Sequence, residues 1–233
     1  MDCGIQVEQN AKKGYSERFI HGEIFRMYPS VNCVIHSHAE AVLPYATSGV
    51  PLVPLFHMAG FLGTYQFLKR YHPFSLLTNV AKGRNVPVFD IGTMYQPGDQ
   101  QDMLVRNARF GTGLAKRFAG VQNDAQEKSV PEHAVVLMRR HGYTTHGVDI
   151  ETAVYRAIYT KINAGVQTNG MAIRSAFTQS LGPSNMPQET GPFEPLSKEM
   201  SEGCLKMNEG TQDKPWRLWV AEVEKLPLYT NNG

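Results

Sequence analysis

Between Ser16 and His38 the apolar residues change their period, from that of a helix to that of a strand. In SERFIHGEIFRMYP, Phe19, Ile20, Ile24, Phe25 and Met27 recur close to helical spacing, Ser16 can serve as N-cap, and Pro29 stands just beyond the end. The next stretch, VNCVIHSH, is a short apolar run that reads as a strand and ends on two histidines, His36 and His38. A helix that feeds directly into a strand calls for a fold in which the two are interleaved.

The rest of the chain continues the interleaving. EAVLPYATSG reads as a short helical turn, and VPLVPLF and VPVFDIG as two short strands bounded by Pro and Gly. DQQDMLVRNARFGTGLAKRFA reads as a helix interrupted near Gly111 and Gly113, with Met103, Leu104, Phe110, Leu114 and Phe118 on one side. A polar loop then leads to the strand HAVVLMRR and the long helix DIETAVYRAIYTKINAGVQ, with Asp149 as its expected N-cap. Near residue 175 the texture changes. SLGPSNMPQETGPFEP reads as a connector. In KPWRLWVAEVEKLPLY, with Pro215 near the first turn, Trp216, Trp219, Val220 and Val223 form an apolar helical stripe to be docked on the chain's own core or on a neighbouring subunit. The expected division is an α/β domain over residues 1–175 with a shortened N-terminal part, followed by a connector and helical extension over 176–233.

Composition narrows the partners. At 233 residues and 42% hydrophobic content the chain can bury a substantial core. Its 23 Lys and Arg against 21 Asp and Glu, with no dense basic run, argue against an electrostatic grip on nucleic acid or an anionic membrane. Three scattered cysteines without a CxxC pair fit neither a disulfide framework nor a thiolate zinc site, and suggest a reducing compartment. The polar N-terminus and the lack of a long apolar run point to a cytoplasmic protein that acts on small molecules.

Alternate residues of a strand share a face, so the imidazoles of His36 and His38 can converge on one cation. An exposed pair at this spacing is more often merely solvated, and a third nitrogen is needed for the usual three-ligand site with an open position. His141, at the end of a strand before Gly142, is suitably placed, with His146 and His133 as competitors. On the preceding helix, Glu17 and His21 stand four residues apart and share a face. Spacing alone favours reading Glu17 as a first-turn carboxylate that suits the helix dipole.

The ordered motifs SERFIHGEIFRMYPSVNCVIHSHAEAV and RRHGYTTHGVDIETAVYRAIYTKINA, with GTMYQPGDQQDMLVRNARFGTGLAKRF between them, resemble the class II aldolase/adducin family over roughly residues 14 to 170. The resemblance implies a three-layer αβα domain, here with a C-terminal helical extension. It also implies a divalent metal, expected to be zinc, held by His36, His38 and His141, and homo-oligomers, usually tetramers. Glu17 matches the catalytic carboxylate of aldolases such as fuculose phosphate aldolase, and Ser16 and His21 are candidates for supporting it. The implied activity is that of a metal-dependent lyase working through a metal-stabilised enediolate or enolate, by aldol cleavage or condensation, decarboxylation or dehydration. Sixteen residues precede Glu17, and the phosphate-holding loops of the sugar-phosphate aldolases have no counterpart. The expected substrate is therefore a small non-phosphorylated carbonyl or hydroxy compound, in the tailoring of a secondary metabolite. The aromatic stretch FHMAGFLGTYQFLKRYHPFSLL suggests a less polar pocket, to which His57 and Tyr65 can contribute. The rival reading is a non-catalytic adducin-like assembly module, against which retention of His36, His38, His141 and Glu17 argues.

Overall fold

The computed structural model describes residues 14–63, 86–119, 130–181 and 194–230. Its elements run α1 (Arg18–Met27), β1 (Cys33–Ser37), α2 (Leu43–Thr47), β2 (Val88–Phe89), α3 (Ala108–Lys116), β3 (Val135–Met138), β4 (Gly142–Gly147), α4 (Ile150–Leu181), α5 (Lys198–Glu209) and α6 (Asp213–Glu224). The four strands form one mixed sheet in the order β1-β4-β3-β2. β1 and β3 lie antiparallel to the central β4, and β2 lies parallel to β3.

Strand β3 shows why three layers result. All four of its residues are buried, and alternate side chains enter different cores. Val136 and Met138 join Ile20 and Ile24 of α1 and Phe110 and Leu114 of α3 on one face. Val135 and Leu137 join Tyr45 of α2 and Tyr155 and Ala164 of α4 on the other. The expected αβα arrangement is thus the observed one. Among the described residues no helix is long and apolar enough to cross a membrane.

Several local expectations are corrected. Glu17, not Ser16, occupies the cap position of α1, and it makes no capping hydrogen bond because its carboxylate is engaged elsewhere; Ser16 is exposed in the preceding turn. Gly111 and Gly113 lie inside α3 and do not break it. The helix begins at the Asn107 cap, whose side chain accepts from the Phe110 N–H, and Gly111 lets it approach α1 so closely that an added Cβ would stand 2.5 Å from the Phe19 carbonyl oxygen. VPVFDIG contributes only the two residues of β2 before a 3-10 turn over Ile91–Met94. Residue 142 does not open a turn but begins a six-residue strand, β4, so His141 lies inside a tight β3–β4 hairpin turn rather than before it. Helix α4, capped by Asp149 as expected, continues to Leu181.

The stretch VPLVPLF forms no strand. Its backbone is bound instead by two buried amides of α4 spaced four residues apart. Asn163 accepts from Leu55 N–H and donates to the Val53 carbonyl, while Gln167 accepts from Val53 N–H and donates to the Pro51 carbonyl, at 2.8–3.0 Å. Prolines at 51 and 54 cannot donate to a ladder, so helix side chains replace the neighbouring strand. On α6 the stripe is only partly docked: Trp219 stands 6.1 Å from the Tyr159 ring, while Val223 is exposed and no residue of the helix is fully buried.

Candidate metal centre

β1 ends and β4 begins at the same end of the sheet, and the hairpin turn Arg139–His141 lies at that end. In the β1–β4 register His36 lies opposite Thr144 and Ser37 opposite Tyr143. The turn can come this close because residue 142 is glycine: a Cβ there would run into the Ser37 carbonyl oxygen and lie 3.2 Å from His38 Cα. Arg140 completes the turn with φ of 58°. Two segments a hundred residues apart thereby bring three imidazoles together, with ring centroids 4.7, 4.8 and 4.9 Å apart.

Glu17 reaches the same point from the third direction, at the entry to α1. Its Oε1 accepts a hydrogen bond from Val105 N–H at 3.1 Å, which fixes the carboxylate. The same oxygen stands 3.3 Å from His141 Nε2, and Oε2 stands 4.0 Å from His36 Nε2. Ligand atoms of Glu17, His36, His38 and His141 all lie within 4.8 Å of one another.

The chemistry of these donors fits a divalent cation. His36 Nδ1 is 3.0 Å from the Tyr143 carbonyl, which can only accept, so that nitrogen carries the hydrogen and Nε2 turns a lone pair toward the centre. His36 Nε2 and His38 Nε2 are 2.8 Å apart. Two lone pairs that close repel unless a proton or a cation intervenes, and nitrogens about 2.0–2.1 Å from a tetrahedral ion would sit only about 0.5 Å farther apart. The His141 side chain is 6% exposed, yet neither ring nitrogen makes a hydrogen bond among the described residues; its approach to Glu17 is an electrostatic contact without hydrogen-bond alignment. A buried imidazole without partners is costly in an apolar setting and natural beside a cation.

The electrostatics agree. Burial pushes the Glu17 carboxyl up, but the His141 ring, the Val105 N–H and His36 together outweigh it, leaving the group below its ordinary value and ionised near neutrality. Burial, reinforced by the charge of His141, holds the His36 pKa below its usual range against the opposing pull of Glu17, so it is poised as a neutral ligand.

The other expected residues lie differently. His21, one turn along α1, is held by the Val34 backbone and feels the Glu17 charge; burial nevertheless keeps its pKa low, and it does not belong to the donor cluster. His57 is exposed on the 3-10 segment over His57–Leu62, where its carbonyl accepts from Asn208 of α5. Tyr65 lies outside the described residues. The competitors His133 and His146 are eliminated as third ligands: His146 points into the sheet interior, its Nε2 on the His133 carbonyl at 3.0 Å and its ring edge-on to Phe118. Sequence reasoning missed Val105, because a backbone N–H leaves no mark on residue identity.

The chain is similar to known proteins over most of its length. The model of the Class II Aldolase and Adducin N-terminal domain matches residues 1–168. Decarboxylase tropJ of Talaromyces stipitatus is 39% identical over 225 residues, which are 97% of this chain and 73% of that protein. The 3,4-dihydroxyphthalate decarboxylase of Arthrobacter keyseri is 26% identical over 172 residues, 71% of this chain and 53% of that one. Among solved structures, an aldolase II superfamily protein from Pseudomonas syringae superposes with a TM-score of 0.52 at 16% identity, covering 94% of this chain and 67% of the other. An L-fuculose 1-phosphate aldolase superposes with a TM-score of 0.51 at 14% identity, over 90% and 70%. At such identities the structural likeness speaks for the fold alone.

Proposed function

Since the chain belongs to the class II aldolase and adducin family, we propose that it is a metal-dependent decarboxylase, acting on a small acid with a hydroxyl or carbonyl oxygen beside the carboxyl-bearing carbon. It is an enzyme of the lyase type. The observation that carries the reading is the convergence of three imidazoles on one point with an ionised carboxylate beside it. Both curated relatives bear decarboxylase names, and one name specifies an aromatic acid with adjacent hydroxyls, which favours decarboxylation over aldol cleavage and dehydration.

His36, His38 and His141 would hold the ion, and three nitrogen donors with one side open suit zinc. A divalent cation there supplies a Lewis acid that favours negative charge on neighbouring substrate oxygens. Glu17 moves the proton. As a carboxylate it takes the hydrogen from the substrate hydroxyl and returns it to the carbon that bears the carboxyl group. The bond to the carboxyl carbon then breaks, CO2 leaves, the electron pair stays on the substrate, and its oxygen regains a proton from solvent. Val105 N–H keeps Oε1 fixed through these steps, so that Oε2 is the oxygen turned toward the reacting carbon.

In this reading residues 1–175 are the catalytic unit and 176–233 an extension, whose helix α5 packs on the His57–Leu62 segment; assembly into homotetramers follows the family pattern. The test is CO2 release from a panel of hydroxyaromatic carboxylates by metal-replete protein. Glu17→Gln should keep its metal and lose about 10²–10⁴-fold in kcat. Cleavage of hydroxyketones without CO2 release from any acid would replace the decarboxylase reading by an aldolase one.

A further inference from the structure

The loop that supplies the Val105 N–H contains an unusual backbone. Met103, two residues earlier, has φ of 66°, a left-handed conformation that side chains other than glycine and a few short polar ones rarely adopt. Such a residue persists only where its surroundings hold it, and here the holding group is identifiable. The Tyr95 hydroxyl accepts the Met103 N–H at 2.9 Å. The Tyr95 ring in turn stands edge-on to Phe110, 5.6 Å away with planes at 84°, and Phe110 is a fully buried core residue of α3. A continuous path therefore runs from the core of α3 through Tyr95 and Met103 to Val105 and the Glu17 carboxylate.

We propose that Tyr95 is a positioning residue for the reaction, its hydroxyl fixing the left-handed turn at Met103 that presents the Val105 N–H to Glu17. Beyond Met103 the loop is tied at both sides. Asp102 accepts from Leu104 N–H and pairs with Arg106, and Asp99 pairs with Arg109. These ion pairs limit how far the loop can move, but none reaches the Met103 N–H; only the tyrosine oxygen does so among the described residues. Loss of that oxygen lets Met103 relax toward negative φ, swings the Val105 N–H away and leaves Glu17 with two orientations in place of one. Since orientation of a reacting group contributes directly to the barrier, the cost falls on kcat.

The inference rests on Glu17 as the proton-moving group, and the test separates the two claims. Tyr95→Phe retains the ring contact with Phe110 and removes only the hydroxyl. Amide hydrogen exchange, which needs no substrate, should be at least about tenfold faster at Met103 and Val105 in the variant, with metal content and Tm unchanged. In turnover, kcat should fall about tenfold with KM within about twofold, and the fall should vanish in a Glu17→Gln background, since residues acting through one another are not additive. Unchanged exchange at Val105 overturns the proposal. So does an equal kcat loss in the Glu17→Gln background, or a loss matched by lost metal. If Glu17→Gln itself leaves turnover intact while Val105 exchange rises, the positioning stands and the role assigned to Glu17 fails.

Discussion

Two groups of histidines in this chain meet opposite fates. His146 on β4 is 7% exposed and has a partner: its Nε2 meets the His133 carbonyl and its ring packs on Phe118. His141, five residues earlier, also has a buried side chain, but its ring nitrogens make no aligned hydrogen bond among the described residues and instead face Glu17, in a space shared with His36 and His38. Burial alone therefore does not mark a functional histidine. What separates the groups is whether the polar atoms are satisfied within the fold, and a convergent set of unsatisfied ones is a place for a ligand.

The largest effect that can break this contrast is at His141. Replacement by Ala should abolish stoichiometric metal binding and lower kcat/KM by more than about 10³-fold while secondary structure survives, because the contacts of the imidazole are to Glu17 and the other two histidines of the centre rather than to the core. Gly142→Ala comes next. Its Cβ would collide with the Ser37 carbonyl and force β1 and the hairpin apart, costing about 1–3 kcal/mol of stability and about 10–100-fold in metal affinity with every ligand still present. Calorimetric unfolding and metal titration of that variant check both.

The smallest effect concerns His146. Burial, helped by the nearby charge of Arg156, pushes its pKa down to about 4. The unfolded chain binds the proton more readily, near its ordinary value of about 6.5, so the stabilising contribution is complete above that pH and is lost as the pH falls toward 4. On the order of 2 kcal/mol should disappear between pH 7 and 5. In His146→Gln that portion of the pH dependence should be absent from urea unfolding curves, with metal content unaltered. A variant that instead lost its metal would erase the distinction between the two groups.

The mixed α and β class, α1, β1 and the long helix α4 were legible because each element carries a local pattern, an apolar period, a cap or a flanking proline, whereas the αβα layering was implied by family resemblance. The three convergent histidines and Glu17 were also foreseen, through two ordered motifs joined by family resemblance, although spacing by itself left His133 and His146 in play. Strand β4 was hidden because GYTTHG is buried throughout, with Thr144 and Thr145 fully enclosed between the layers, so no alternation of polar and apolar residues announces it. The 51–55 segment misled in the opposite sense. It is apolar like a strand, but much of its backbone is satisfied by Asn163 and Gln167, whose four-residue spacing on α4 is the signal that could have identified it. Val105 and Tyr95 act through a backbone N–H and through a turn conformation, neither of which the residue letters record.

Metal analysis of purified protein, prepared with divalent ions present throughout and then freed of excess, tests the three-imidazole centre most directly. Wild type and His146→Gln should each retain about one divalent ion per chain, and folded His38→Ala and His141→Ala should retain almost none. Folded wild type without bound metal, or a His141→Ala variant that keeps a full equivalent, would contradict the assignment.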